Sequence, residues 1–297
     1  MKVSKLAVNL LKHSCIKADK KRYANFSIDP KFEIKKDIAY LNDESPLHRF
    51  DIIYTTKELR RNVTLIDIHG GAYIFGKRQN NYSFVSFFLE QGFDVVAIDY
   101  EYNNGKISNL NLVNDCANAI YFLKEHLDEY NLSDNFVITG DSAGGHLSLI
   151  ISEMICDKDL SNKIFGKELN INLKSCLINC PVFDYVNIGK EQMTNSGRKR
   201  LIGTDNKNED VRRLICPKAN IDSLKVPLFT STCTNDFIRS ESLDLKKTVE
   251  EKPIEFEFVD VESDKKEIGH VHNVIHPSYE DSVYVNNKML EFINKYL

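Results

Sequence analysis

The chain has 297 residues, 42% hydrophobic and 28% charged, the balance of an ordinary globular protein rather than a disordered one. Its 39 Lys and Arg stand against 43 Asp and Glu, a formal net charge of −4, so it lacks the basic excess that a nucleic-acid backbone demands. No apolar run approaches the roughly 20 residues of a membrane-spanning helix.

The first 23 residues read MKVSKLAVNLLKHSCIKADKKRY. They are basic, but their longest unbroken apolar run is Leu6–Val8, short of the roughly 7–15 residues of a secretory signal. Leu6, Leu10 and Leu11 share one helical face, which predicts a helix docked on the surface through that face. From about residue 48, strands alternate with helices. HRFDIIYT (48–55), VTLIDIH (63–69), DVVAIDY (94–100), NFVITG (135–140), LKSCLINC (173–180), VPLFTST (226–232) and IEFEFVDV (254–261) read as strands. Helical patterns intervene: a short one ended by Gly92, a long one over 107–130, HLSLIISEMI after the fourth strand, and a closing helix over about 280–297. Strands joined by helices of this length predict a mostly parallel sheet covered on both faces. Residues 1–47 and 182–215 break the rhythm and are predicted to form a lid over a single domain whose core is 48–181 and 216–297. The seven cysteines (Cys15, Cys116, Cys156, Cys176, Cys180, Cys216 and Cys233) are odd in number and scattered, which predicts reduced thiols and a cytoplasmic protein. Cys176 and Cys180 lie roughly 13 Å apart if extended, beyond disulfide reach.

Gly140-Asp141-Ser142-Ala143-Gly144 follows the strand NFVITG and opens a helix. A serine lifted out of a tight strand-to-helix turn needs neighbours without bulk, hence a glycine two before and two after it. The new helix then aims its backbone N–H groups and positive dipole end at the site. His69-Gly70-Gly71-Ala72-Tyr73 follows the strand VTLIDI, about 70 residues upstream. Acyl transfer builds negative charge on a carbonyl oxygen. Backbone N–H groups at Gly70, Gly71 and Ala72, with that of Ala143 after the serine, suit such an oxyanion hole.

Together these segments resemble the hormone-sensitive-lipase-like and bacterial acetyl-esterase branch of the α/β-hydrolase superfamily, over about residues 48–297. HGGAYIFG is similar to that family's oxyanion motif, GDSAGG to its nucleophile elbow, and VVAIDYEYN to a strand that usually reads near Asp-Tyr-Arg. Asp115 matches an acidic position in the helix before the elbow. The sequence departs from the pattern at Ala72, where a third glycine is usual, and at Glu101-Tyr102-Asn103-Asn104, where Arg-Leu-Ala-Pro is usual. The resemblance implies the α/β-hydrolase fold with a helical lid and the hydrolysis of a carboxylic ester with a small acyl group.

A serine needs a base, and the base needs an acid to orient it. In α/β-hydrolases the chain order is Ser, then Asp or Glu, then His. After Ser142 and the elbow helix, His270, His272 and His276 cluster just past the last strand. His270 stands first: Gly269 before it permits a turn, and His272 falls where the resembling family places a packing aromatic. Asp236 follows the strand VPLFTST and is the leading acid, with Asp260, Glu262 and Asp264 as rivals.

His270 and His272 form an H-x-H that suits zinc, but no third ligand sits at a recognisable spacing, so no metal and no cofactor are expected. Arg198-Lys199-Arg200 reads as a solvated lid face. Tyr73, Phe75, Phe183 and Tyr185 are candidates to line the acyl or alcohol pocket. The reading is a serine carboxylesterase acting on a small-molecule ester, with a homodimer allowed. An amidase or peptidase on the same fold is the alternative, and a non-catalytic hydrolase-like binding protein the second.

Overall fold

Thr64–Ile68 and Asp94–Ile98 are buried along their whole length, as strands must be when both faces of a sheet are covered. A computed structural model describes residues 2–24 and 26–297. Its strands are β1 (Glu33–Ala39), β2 (Arg49–Tyr54), β3 (Thr64–Ile68), β4 (Asp94–Ile98), β5 (Asn135–Asp141), β6 (Asn172–Asn179), β7 (Leu228–Cys233) and β8 (Phe256–Val261). They form one sheet in the order β1-β2-β4-β3-β5-β6-β7-β8. β2 runs antiparallel to both β1 and β4, and the remaining pairs are parallel. This is the α/β-hydrolase arrangement. Helices Asn109–Glu125 and Ala143–Cys156 bury Leu112, Ile120, Leu147 and Ile150 against one face. Helices Tyr82–Glu90 and Glu280–Ile293 bury Phe84, Phe88, Met289 and Phe292 against the other. The register pairs Ile68 with Gly140 and Asp141 with Asn179, so the loops leaving β3, β5 and β6 emerge side by side.

Four expectations need correction. β1 lies within the segment assigned to a lid but belongs to the sheet edge. A bulge between Lys35 and Ile38, with Asp37 at φ 58°, interrupts this mostly charged strand, so the sequence shows no clear alternation. The N-terminal helix Lys5–Arg22 turns Leu6, Leu10 and Leu11 outward at 68%, 63% and 56% exposure, and its buried residue is Val8. Polar anchors set its rotation instead: Arg200 Nε donates to Asn9 Oδ1 at 2.8 Å, and Asn80 Nδ2 to Asp19 Oδ2 at 3.1 Å. Arg198 and Arg200 are likewise half-buried, not solvated. Arg198 donates to the Ile188 and Val186 carbonyls, and Arg200 to that of Asn103. The helix expected over 107–130 also breaks at His126.

Residues 182–215 are largely helical, and helix Asn195–Ile202 packs on Lys5–Arg22. Backbone pairing of Val3 with Gln192 and Thr194 ties the two together. All seven cysteines are free thiols, and no helix among the described residues is long and apolar enough to cross a membrane.

Candidate active site

Ser142 sits between β5 and the helix Ala143–Cys156 at φ 54° and ψ −117°, a conformation that side chains other than glycine rarely adopt. Close packing explains the flanking glycines. A Cβ on Gly140 would overlap Ser148 Oγ and the Gly144 carbonyl, and one on Gly144 would overlap the Ile68 carbonyl. The strained turn is held by the Ser142 N–H, which donates to the Asn179 carbonyl at 2.8 Å.

The Ser142 hydroxyl lies 2.9 Å from His270 Nε2, and His270 Nδ1 lies 2.7 Å from Asp236 Oδ1. A carboxylate only accepts, so the proton is on Nδ1 and Nε2 is left to accept from Ser142. Asp236 also accepts from Thr232 Oγ1 at 2.9 Å and from the Ile238 N–H at 3.0 Å. Burial alone would raise its carboxyl, but His270 and these donors outweigh burial and hold it below the ordinary carboxylate value. Residues not singled out from sequence fix the two loops. Asn235 bridges to Gly269, and its side chain donates to the carbonyls of Ser263, Lys265 and Ile268. The turn after His270 is carried by Val271 at φ 51°, whose N–H donates to Cys180 Sγ at 3.3 Å. Gly269 is not left-handed, and a Cβ there would meet only ordinary contacts, so the role assigned to that glycine passes to Val271.

The other candidates lie apart. His272 is buried and directed at Ser282 Oγ, 2.9 Å away, and burial lowers its pKa to about 4, so it is neutral. His276 stacks on Tyr279. Asp260 pairs with Arg239, and Glu262 and Asp264 line a surface cleft with Lys265 and Asp281.

In the segment after β3, the Gly70 N–H donates to Asp141 Oδ1 at 2.9 Å. Gly70 is therefore removed from the expected oxyanion donors. The N–H groups of Gly71, Ala72 and Ala143 enter no such pairing among the described residues. Ala72 and Tyr73 are left-handed, at φ 51° and 62°. Asn81 Nδ2 donates both to Asp141 Oδ1, at 3.0 Å, and to Asp67 Oδ1, at 3.1 Å. Burial, with Asp141 beside it, pushes Asp67 up to about 7. This cluster clamps the Gly70 loop to the elbow. No sequence motif marked it, because Asp67 lies inside an apolar strand.

Tyr73, Phe183 and Tyr185 are fully buried and line no open surface, contrary to expectation. Tyr185 donates to Asp205 Oδ2 at 2.9 Å, and Tyr73 packs against His146. Phe75 does face a cleft of about 540 Å³, which it lines with Ile16, Asp19, Tyr23, Gly76 and Tyr102. Two groups of metal-binding side chains converge within 4.8 Å: Cys180 with Asp236 and His270, and His48 with Glu101 and Asp115. The H-x-H pair does not converge on an ion, since His272 faces Ser282.

Comparison with known proteins places the fold. The profile of the BD-FAE family matches residues 50–247. The solved structure of esterase B from Lactobacillus rhamnosis, inhibited by a tributyrin phosphonate, superposes with a TM-score of 0.86 at 22% identity, over 97% of this chain and 94% of that one. A bacterial heroin esterase superposes with a TM-score of 0.76 at 18% identity, over 100% of this chain and 94% of that one. A probable carboxylic ester hydrolase of Mycobacterium tuberculosis, LipM, is 37% identical over 86 residues; the match spans 28% of this chain and only 20% of LipM.

Proposed function

Because the chain belongs to the BD-FAE family and has the α/β-hydrolase fold, we propose that it is a serine carboxylesterase working through an acyl-enzyme. The observation that carries this is the continuous relay from Ser142 Oγ through His270 to Asp236, at 2.9 and 2.7 Å. His270 Nε2 takes the hydroxyl proton as Ser142 Oγ attacks the ester carbonyl. The tetrahedral oxyanion is met by the N–H groups of Gly71, Ala72 and Ala143 and by the positive end of helix Ala143–Cys156. His270 returns the proton to the leaving alcohol. Water, activated by the same imidazole, then releases the acid. Asp236 holds the imidazole tautomer and stabilises the imidazolium. The cleft of about 540 Å³ that begins at Phe75 and Gly76 takes a substrate side chain, since those residues belong to the same loop as Gly71 and Ala72.

The test is a panel of chromogenic esters of increasing acyl length, with the matching anilides. The native protein should hydrolyse short-chain esters and leave the anilides largely intact, while Ser142→Ala should hydrolyse neither. Turnover surviving in Ser142→Ala would end the proposal, and preferred cleavage of anilides would make the protein an amidase.

A further inference from the structure

Glu101 stands where the resembling family carries an arginine, and here it converges with His48 and Asp115. Three segments meet there: the loop between β1 and β2, the stretch after β4, and the helix Asn109–Glu125. His48, from the first, is 7% exposed. Its Nδ1–H donates to Asp43 Oδ2 at 2.5 Å, which turns Nε2 inward. Nε2 is buried and has no hydrogen-bond partner. It faces Asp115 Oδ1 at 3.4 Å and Glu101 Oε1 at 3.9 Å. The other oxygen of Asp115 accepts the Glu101 N–H at 3.0 Å, which fixes the carboxylate plane.

We propose that His48, Glu101 and Asp115 bind a divalent transition-metal ion of the zinc type. Ligand atoms around a tetrahedral zinc, with bonds of about 2.0–2.1 Å, stand roughly 3.3 Å apart; His48 Nε2 and Asp115 Oδ1 match this at 3.4 Å, and the Glu101 oxygen, 3.9 Å from Nε2, would close in on binding. The Asp43 carboxylate on the far imidazole nitrogen is the partner a metal-bound histidine requires to fix its tautomer. An imidazole nitrogen selects zinc-like ions over calcium or magnesium, which favour oxygen throughout. The Glu101 side chain is 40% exposed, so an ion has a path in and water has room for the fourth position. The ion would join the three segments. Through Asn103, whose N–H donates to the Tyr73 carbonyl at 2.7 Å, it would also brace the loop that bears Gly71 and Ala72.

The experiment strips the full chain with EDTA and titrates it with Zn²⁺ by calorimetry, with Co²⁺ by visible absorption, and with Zn²⁺ again in thermal melts. The native protein should bind one equivalent at this site, melt at a higher temperature with Zn²⁺, and develop the Co²⁺ spectrum. Asp43→Asn should weaken Zn²⁺ binding roughly 10–100-fold. His48→Gln and Glu101→Gln should abolish that equivalent and the Co²⁺ spectrum. If His48→Gln does not fold, the half-exposed Glu101→Gln carries the test. No binding to the native protein, or binding unchanged in Glu101→Gln, would overturn the proposal; the latter would place the ion elsewhere, as at Cys180, Asp236 and His270. A Ca²⁺ effect equal to that of Zn²⁺ would overturn the assignment of ion.

Discussion

His270 and His272 lie two residues apart, and their surroundings divide the work. His270 Nε2 is within 2.9 Å of Ser142 Oγ, whereas His272 is sealed against Ser282. His270→Ala should therefore lower kcat about ten-thousandfold, the loss expected when one member of a triad is removed. His272→Phe should keep most activity. An active His270→Ala beside an inactive His272→Phe would reverse the assignment. Gly269→Ala should change activity less than about threefold and stability by less than about 0.5 kcal/mol, since its Cβ would meet only ordinary contacts. A large loss in either would restore the turn to Gly269. The meeting of Ser142, Asp236 and His270 was legible because chain order and strand ends constrain all three. The clamp made by Asp67, Asn81 and Asp141 was not, because carboxylates inside apolar strands have no periodic signature. The engagement of Gly70 was hidden for the same reason: its partner is the side chain of Asp141, 71 residues away.

At the scale of elements, the N-terminal helix and the insertion after β6 act on one another. Arg200 joins them: its guanidinium spans Asn9 Oδ1 at 2.8 Å and the Asn103 carbonyl at 2.5 Å. Helix Lys5–Arg22 also walls the cleft through Ile16 and Asp19. Arg200→Ala should raise KM for long acyl chains more than for acetate, and shortening 186–212 should shift preference across acyl lengths. Equal slowing of every ester would show that these segments do not select substrate. Seven of the eight strands were legible from β-branched runs bounded by turn residues. β1 was not, because an edge strand with charged side chains and a bulge keeps no alternation. The rotation of the N-terminal helix was misread for a related reason. Three leucines define a stripe, but the hydrogen bonds of Asn9 and Asp19 decide which side faces the protein.

Across the whole molecule, burial of neutral histidines ties the fold to pH. Burial lowers both His146 and His272 to about 4. The unfolded chain takes up these protons near the ordinary value of 6.5, and the fold refuses them until about pH 4, so stability falls as pH drops through that window. For His272 the shift corresponds to roughly 3 kcal/mol. Urea midpoints measured from pH 7 to 4 should fall, and His272→Phe should flatten the slope; parallel slopes would contradict the burial argument. The same sheet that buries these groups gathers the loops after β3, β5, β7 and β8 at one edge, and the account stands on what those loops do together. The most direct test is covalent labelling with a fluorophosphonate probe, followed by peptide mapping. The account predicts a single adduct on Ser142, abolished in Ser142→Ala and strongly slowed in His270→Ala. An adduct on another residue, or equal labelling in all three proteins, would contradict it.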